Sequence, residues 1–249
     1  DIILAVDGHP ADSMTEEETS GLIRGPEGTT VVLKVLRGAE ELEFPMVRRA
    51  IELPIISEEM IERDGRKIGY VRLDQFSLDA GIKLKAAVDS LIAQGAQGIV
   101  LDLRNNGGGL LDESINVSSV FIQNGTIVSV VGRDGDSQTY EARGEANENI
   151  PIVVLINGFT ASASEIVAGA VKDDARGKLI GEKTFGKGVV QNIVPLSNGG
   201  GLKYTSASYY TPLGIDINKI GIEPDIPAVD DPATPEDEVL EQGLAELAR

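Results

Sequence analysis

Short apolar or alternating stretches occupy much of the first fifty residues of the chain. Apolar and polar residues alternate in Glu41–Val47, a pattern typical of a strand with one buried face. The apolar runs Ile2–Val6 and Thr30–Leu36 also predict strands. Between the first two, Ser13 and Glu16 have the spacing of a capping box, which predicts a short helix that continues to Ile23. Residues 1–48 are therefore predicted to form a small β-rich unit, and residues 49–66 a connector.

From Lys67 onward the pattern changes to short apolar runs separated by stretches with helical spacing. The apolar runs predict buried strands at Ile68–Leu73, Gly98–Leu103, Pro151–Ile156, Leu179–Gly181 and Val189–Leu196. The helical spacing predicts helices at Ala80–Gln94, Ser162–Val171 and Glu236–Leu247. Strands that alternate with helices are characteristic of an α/β fold with a mainly parallel sheet. The predicted fold class is therefore α/β, with a core over residues 67–225 and a tail with a last helix over residues 226–249.

The charge and hydropathy of the chain argue against a nucleic acid as a general partner and against a membrane-spanning segment. Acidic residues outnumber basic ones 40 to 22, which gives a net charge of −18. A field of that sign repels phosphate backbones, so no nucleic acid partner is expected. No apolar run is long enough to span a bilayer.

The sequence opens at Asp1 without a Met or a signal pattern, so we expect a fragment whose start, with any targeting segment, has been removed.

The absence of cysteine restricts the chemistry that the chain can perform. Thiol nucleophiles, disulfides and cysteine-ligated zinc are excluded, and the single histidine is His9. Because Gly8 and Pro10 flank it, His9 is predicted to be a solvated turn residue. No cofactor or metal is expected. A nucleophilic enzyme built on this chain would need Lys, Asp, Glu or Tyr as its base.

A glycine cluster follows one of the predicted buried strands, in the segment Asp102–Gly109, which reads DLRNNGGG. Three consecutive glycines cost backbone entropy on folding, so the cluster needs a physical reason. One reason is a plain turn, and another is a close approach of main-chain N–H groups to a ligand, as in an anion hole. A phosphate loop is a weak interpretation, because the Lys and Ser or Thr of that motif do not follow.

A serine segment and a lysine segment also carry more polar character than packing requires. Phe159–Ile166, which reads FTASASEI, joins a predicted strand to a predicted helix, where a serine can be exposed in front of helix N–H groups. The alternative is helix capping, which also fits Ser164. Lys187 lies between Gly186 and Gly188, so its backbone can approach another segment closely. Most lysines are solvated surface charges, and a lysine that acts as a base has to be buried, because desolvation favours the neutral amine.

Taken together, these segments resemble sequence blocks of the C-terminal processing peptidases, also called tail-specific proteases. The near-verbatim blocks are Asp102–Gly109, Ser162–Ile166 and Gly181-Glu182 with Thr184–Gly188. The second half of the family's PDZ domain is similar to Asp7-Gly8, Ile23–Gly25 and Gly28-Thr29. The match covers nearly the whole chain in order, and three blocks in sequence are far more specific than any one of them.

The resemblance implies a serine endopeptidase with a Ser–Lys dyad. The family's nucleophile is the middle serine of a Ser-Ala-Ser-Ala-Ser run, whose first position is Thr160 here, so the nucleophile falls on Ser162. The family's base lies 25 residues downstream, which is Lys187 because 187 − 162 = 25. A glutamine that holds the lysine falls on Gln191. The main-chain N–H groups of the oxyanion hole fall on Gly108 and Ala163.

The resemblance also implies the fold and the biology of the chain. The core is expected to have the layered α/β architecture of ClpP and crotonase, and residues 1–48 to be a truncated PDZ domain. The half of that domain that grips a C-terminal carboxylate would lie upstream of Asp1, so we expect tail binding to be impaired. The implied partners are unfolded or C-terminal segments of protein substrates, cleaved through an acyl-enzyme. The implied location is the envelope of a bacterium or the lumen of an organelle.

Two other functions fit the same patterns. The first is a non-catalytic peptide-binding scaffold on the same fold, since fold does not fix function. Retention of Ser162, Lys187 and Gln191 disfavours it, because a decayed site is expected to lose at least one of them. The second is acyl transfer on a small thioester, which would require an adenine-nucleotide site of which the acidic sequence gives no sign.

Overall fold

The computed structural model describes residues 1–50, 54–144, 146–197 and 199–249. The chain divides into two units, Asp1–Leu53 and Pro54–Arg249. Within the described ranges, no helix combines the length and the apolar character needed to cross a membrane.

The first unit is a four-stranded antiparallel sheet with one helix. Its elements are β1 (Ile2–Val6), β2 (His9–Pro10), α1 (Glu16–Ile23), β3 (Thr30–Arg37) and β4 (Glu40–Val47). The strands lie in the order β2-β1-β3-β4. Val6, Val31 and Val35 are buried, and Val31 and Val35 lie on the same face of β3, since successive side chains of a strand point to opposite faces. The three predicted strands of this region are confirmed.

The capping box of α1 lies two residues later than predicted. Thr15 is the N-cap: its hydroxyl accepts from the Glu18 N–H, while the Glu18 carboxylate accepts from the Thr15 N–H at 2.8 Å. Ser13 instead ends a short 3-10 turn, and its hydroxyl donates to the Pro10 carbonyl. Both spacings satisfy the capping pattern, and the observed one places Glu16 and its two acidic neighbours in the first turn, where the helix dipole favours negative charge.

The second unit contains the remaining strands and helices. The strands are β5 (Ile56–Arg63), β6 (Arg66–Leu73), β7 (Ile99–Asp102), β8 (Thr126–Gly132), β9 (Ser137–Glu141), β10 (Ile152–Ile156), β11 (Lys178–Gly181), β12 (Val189–Pro195), β13 (Gly201–Tyr210) and β14 (Ile226–Pro227). The helices are α2 (Ala80–Ala93), α3 (Leu111–Ser119), α4 (Ala163–Asp173) and α5 (Glu238–Leu247). A smaller antiparallel sheet has the order β12-β13-β8-β9.

The main sheet of this unit has the order β14-β11-β10-β7-β6-β5 and is parallel except at β5. Apolar side chains alternate between its two faces. Val154 packs into the core formed with α2, α3 and α4, whereas Val153 and Leu155 pack into a second core with α5. Because both faces are covered, the buried strands read as continuous apolar runs. The predicted α/β fold class with a mainly parallel sheet is confirmed.

The structure differs from the sequence prediction at both ends of the core. Part of the predicted connector, residues 49–66, is strand β5, which pairs antiparallel with β6 across an Asp64-Gly65 turn. Residues 51–53 of that connector lie outside the described residues. At the other end, α5 packs on the sheet through Val239 and Leu244, so residues 226–249 are part of the same unit as the core. Elements α3, β8, β9 and β13 were not predicted, because their apolar residues are interleaved with serine, threonine and asparagine.

Candidate active site

Loops at the carboxyl ends of the parallel strands form the candidate site. Ligands of open α/β sheets bind at this edge, since the loops after successive strands converge there. A pocket of about 430 Å³ opens among them. Its lining residues come from the loops after β6, β7, β10 and β11: Asp74, Gln75, Gly107, Gly108, Gly109, Ser162 and Lys187. The structure thus brings together the three segments that the sequence singles out.

Ser162 lies on a strained turn between β10 and α4. Its φ is 59° and its ψ is −117°, a conformation that a residue with a side chain rarely adopts and that costs about 1–3 kcal/mol. A turn of this kind projects a serine side chain out of the strand-to-helix junction. Ser162 is also the N-cap residue of α4, and its carbonyl accepts from the Glu165 N–H at 2.9 Å. The position of Ser162 is therefore compatible with both interpretations, as a nucleophile and as a helix cap.

The glycine cluster owes its composition to close contacts. At Gly108 φ is +96°, and an added Cβ would lie 2.7 Å from the Ala161 carbonyl oxygen and 2.8 Å from the Ala163 nitrogen. At Gly109 an added Cβ would lie 2.2 Å from the Phe76 carbonyl oxygen. Side chains at these two positions would push the loop away from the serine turn. The cluster is therefore both a turn and a close approach of backbone to the site.

The two predicted oxyanion donors are adjacent but differ in their hydrogen bonding. The Gly108 N–H donates to the Asn106 side-chain oxygen at 2.9 Å. Within the described ranges, the Ala163 N–H makes no hydrogen bond to the protein, as expected for the first turn of a helix. In this structure Ala163 is thus the donor that is available to a ligand, and Gly108 is engaged by its own loop.

Buried hydroxyls fix the glycine loop to the serine turn. The Thr160 hydroxyl donates to the Leu103 carbonyl at 2.9 Å, and the Ser164 hydroxyl donates to the Asn106 carbonyl at 2.9 Å. Both side chains are fully buried. Ser164 therefore holds the neighbouring loop, and the interpretation of Ser164 as a helix cap is wrong.

Lys187 lines the pocket but is exposed. The flanking glycines allow its loop to pack closely, since an added Cβ at Gly188 would lie 2.5 Å from the Asn218 nitrogen. Among the residues that the structure describes, the Lys187 amine has no hydrogen bond or ion pair. The side chain of Lys187 is therefore exposed in this structure, whereas a lysine that acts as a base was expected to be buried.

Gln191 lies on the strand that follows the lysine loop. It is an exposed residue of β12, opposite Thr205 of β13, next to a bulge in the strand pairing. It is not among the residues that line the pocket. The structure therefore brings Ser162, Lys187, Gly108 and Ala163 together and leaves Gln191 outside.

Sequence analysis did not identify Glu165 as a residue of the site. Its side chain is fully buried, and one carboxylate oxygen accepts from the N–H groups of both Ser162 and Lys187, at 2.9 and 2.8 Å. The other oxygen accepts from the Gly186 N–H at 2.7 Å and the Thr184 hydroxyl at 2.6 Å. This carboxylate fixes the serine turn relative to the lysine loop. Its sequence signal is the Ser-x-x-Glu spacing of a capping box.

A buried ionic network supports the start of the glycine loop. Arg104 donates to Asp102 at 2.7 Å and, through two nitrogens, to Asp237 at 2.7 and 2.8 Å. Burial by itself would lower the pKa of Arg104, but the hydrogen bonds to Asp237 and Asp102 outweigh it and raise that pKa. Asp237 is the N-cap of α5, so the network ties the end of β7 to the last helix.

Tyr70 connects this network to the pH dependence of stability. Its hydroxyl donates to Asp102 at 2.8 Å, and burial together with that carboxylate raises the pKa of Tyr70 to about 12. An unfolded tyrosine titrates at about 10. The folded chain thus keeps a proton that the unfolded chain loses, so the stabilisation is complete below about pH 10 and is lost as the pH rises through about 12.

We predict that Tyr70→Phe reduces the alkaline loss of stability. Between pH 10 and 12 the urea midpoint of unfolding is expected to fall less steeply in this variant than in the unmodified chain. Tyr204→Phe removes an exposed tyrosine hydroxyl and is the matched control, which should retain the full alkaline loss. Equal slopes in the unmodified chain and Tyr70→Phe would contradict the prediction.

Known proteins with similar sequences match most of the chain. Residues 67–228 match the model of peptidase family S41. The chain is 43% identical over 251 residues to the carboxyl-terminal-processing protease of Synechocystis sp., which covers 100% of this chain and 56% of that protein. It is 46% identical over 162 residues to the chloroplastic C-terminal processing peptidase of Tetradesmus obliquus, which covers 65% of this chain and 35% of that protein.

A similar structure is known for most of the chain. The photosystem II D1 C-terminal processing protease superposes with a TM-score of 0.68 and 34% sequence identity, over 99% of this chain and 67% of that one. The chain spans about half the length of the curated relatives that it matches.

Proposed function

Because the chain belongs to peptidase family S41, we propose that it is a serine endopeptidase that cleaves protein substrates near their C-termini. In this proposal Ser162 is the nucleophile and Lys187 the base. The observation that carries it is geometric: a strained serine turn and a lysine with no partner among the described residues line the same pocket. The names of the relatives, which are processing proteases from bacteria and chloroplasts, support the same activity and an exported or organellar location.

The proposed reaction proceeds through an acyl-enzyme. Neutral Lys187 takes the proton of the Ser162 hydroxyl as Oγ bonds to the scissile carbonyl carbon. The Ala163 N–H donates to the developing oxyanion, and Gly108 joins it if its N–H turns from Asn106 to the oxyanion. The Lys187 ammonium then gives its proton to the leaving amine as the C–N bond breaks. Lys187 then takes a proton from water as the water oxygen bonds to the ester carbonyl carbon, and it returns that proton to Ser162 Oγ as the ester C–O bond breaks.

In this proposal, substrate binding changes the environment of Lys187. A peptide laid over the open side of the pocket excludes water from Lys187, and desolvation favours the neutral form of an amine. The Glu165 carboxylate meanwhile keeps the Ser162 and Lys187 backbones at a fixed separation. Preorganisation of this kind lets the reacting groups meet without rebuilding the loops.

The finer assignments of fold and domains belong to the same proposal. We assign residues 1–48 to the second half of a PDZ domain, residues 67–225 to the protease core and Gln191 to a role in holding Lys187. The layered architecture of ClpP and crotonase is proposed for the core. The motifs in the first unit, its antiparallel sheet and helix α1 support the PDZ assignment.

The function is tested by incubating the purified chain with an unstructured peptide that has a free apolar C-terminus. Mass spectrometry of the products is expected to show cleavage at one or a few peptide bonds. Cleavage of the same peptide with an amidated C-terminus shows whether the chain recognises the free C-terminal carboxylate. Binding of the peptide without any cleavage would instead support the scaffold function.

We predict that Lys187→Arg is as inactive as Lys187→Ala. A guanidinium keeps the positive charge but does not lose its proton in the working pH range, so it cannot act as the base. The loss of kcat is expected to be about 10²–10⁴-fold or more, the usual contribution of a general base. Lys183→Arg is the matched control, since Lys183 is paired with Glu223 on the surface. Substantial activity in Lys187→Arg would assign Lys187 an electrostatic role instead.

A further inference from the structure

One acidic side chain lines the candidate active-site pocket and has no role in the proposed reaction. Asp74 follows β6 directly and shares the pocket with Ser162 and Lys187. Its side chain is about half exposed, at 49%. Because Lys187 is neutral when it acts as the base, Asp74 is then the charged group among the residues that line the pocket.

The position of Asp74 is fixed by the backbone on both sides. The Asp74 N–H donates to the Ile55 carbonyl at 2.9 Å. The next residues run along the glycine loop, since the Phe76 N–H donates to the Gly108 carbonyl and the Phe76 carbonyl accepts from the Leu110 N–H. The segment that carries Asp74 thus forms one side of the pocket, and it is hydrogen-bonded to the glycine loop, which also lines the pocket.

The carboxylate of Asp74 retains a free acceptor. One oxygen accepts from the Arg72 side chain at 2.7 Å, and within the described ranges no hydrogen bond to the other oxygen is found. Arg72 is not among the residues that line the pocket. A peptide in the pocket therefore faces the Asp74 carboxylate of this ion pair and not the Arg72 guanidinium.

We propose that Asp74 determines specificity by favouring substrates with a Lys or Arg side chain beside the scissile bond and disfavouring Asp or Glu there. This inference rests on the proposed peptidase function and adds the charge of the substrate to it. A cation at that position pairs with the free oxygen of Asp74, whereas an anion is repelled by it. Partly exposed charge pairs of this kind change affinity by up to about fivefold.

The test uses one unstructured peptide with Lys, Gln or Glu placed in turn at the two positions on either side of the mapped cleavage site. At the affected position, kcat/KM is expected to be about fivefold higher for Lys than for Glu in the unmodified chain. Asp74→Asn is expected to bring the Lys-to-Glu ratio towards one, and Asp74→Lys to invert it. Raising the salt concentration to 1 M should shrink the ratio in the unmodified chain, because exposed charges are screened.

Two controls separate a local effect from the net charge of the chain. Asp112→Asn makes the same charge change at an exposed residue outside the pocket lining and should leave the ratio unchanged. Arg72→Gln removes the partner of Asp74 and should increase the preference for Lys. The proposal is overturned if Asp74→Asn keeps the ratio, if it lowers cleavage of all three peptides equally, or if Asp112→Asn has the same effect.

A binding measurement makes the outcome independent of catalysis. In Ser162→Ala, fluorescence anisotropy of the labelled Lys and Glu peptides is expected to show the same preference, and the double variant with Asp74→Asn is expected to lose it. If the unmodified chain cleaves nothing, the proposed function fails, and the binding ratio still decides the role of Asp74. If neither peptide binds, or both bind alike with Asp74 in place, the specificity proposal is wrong.

Discussion

Ser162→Ala is expected to abolish peptide cleavage and to leave the unfolding temperature within a few degrees of the unmodified value. Loss of the nucleophile in a serine protease lowers kcat by about 10⁶-fold. The Ser162 hydroxyl lies at a pocket surface, so the substitution removes no core contact. Alanine has the same backbone strain as serine at φ 59°, so the strain does not change either. The measurement is kcat/KM on one peptide together with thermal unfolding followed by circular dichroism.

Two further serine variants separate the nucleophile from the helix cap. Ser162→Gly should be as inactive as Ser162→Ala but more stable by about 1 kcal/mol, because glycine adopts positive φ without strain. Ser137→Ala, at an exposed position of β9, is the matched control and should retain activity. Cleavage by purified Ser162→Ala would remove Ser162 as nucleophile, and a loss of about 2 kcal/mol of stability would favour the capping role.

Glu165→Gln is expected to lower both stability and activity. An amide offers one acceptor oxygen and one NH₂ donor group, so it cannot accept from the four donors that the buried carboxylate now serves. Buried N–H groups left without an acceptor cost about 1–3 kcal/mol each, and we expect a total loss of about 3 kcal/mol. The Ser162 and Lys187 backbones would then lose their common anchor, and kcat is expected to fall by about 10²-fold.

A second buried glutamate provides the control for Glu165. Glu113 accepts from the Gly81 N–H at 2.8 Å between α2 and α3 and does not line the pocket. Glu113→Gln should therefore lower the free energy of unfolding without changing kcat per folded molecule. Activities are compared well below the unfolding temperature, with active molecules counted by a serine-directed acylating reagent. A Glu165→Gln enzyme with normal kcat would reduce Glu165 to a purely structural role.

Several features could be predicted because they depend on residues close together in the sequence. Strands such as β1 and β10 follow from their short, continuous apolar runs, and helix α2 follows from the helical spacing of its apolar residues. The family indicated by the sequence blocks is confirmed by the match over residues 67–228. The glycine cluster could be found because three consecutive glycines need a physical reason, and Ser162 because it lies at a strand-to-helix junction within a block that resembles the family.

Other features could not be predicted because they depend on packing between distant segments. Strand β5 carries three glutamates, Glu58, Glu59 and Glu62, among its eight residues, and its pairing with β6 makes it part of the sheet. The exposure of Lys187 and the position of Gln191 outside the pocket depend on how the lysine loop and β12 pack, which no local pattern records. The expectation of a buried lysine came from the chemistry of an amine base, and that for Gln191 came from the resemblance to the family; neither fixes a position in space.

By itself, the sequence limited the chemistry: a chain without cysteine and with a single histidine, His9, leaves Lys, Asp, Glu or Tyr as a base, and the resemblance to the family blocks indicated Ser162 and Lys187. The tertiary structure alone decided which groups surround them. Parallel strand pairing brings the ends of β6, β7, β10 and β11 to one edge, and this places the Glu165 carboxylate against the lysine loop, whose Lys187 lies 22 residues further along the chain. It also places Asp74 in the pocket. The physical reason is that hydrogen bonds and Coulomb interactions act over a few ångströms of space, whatever the separation along the chain.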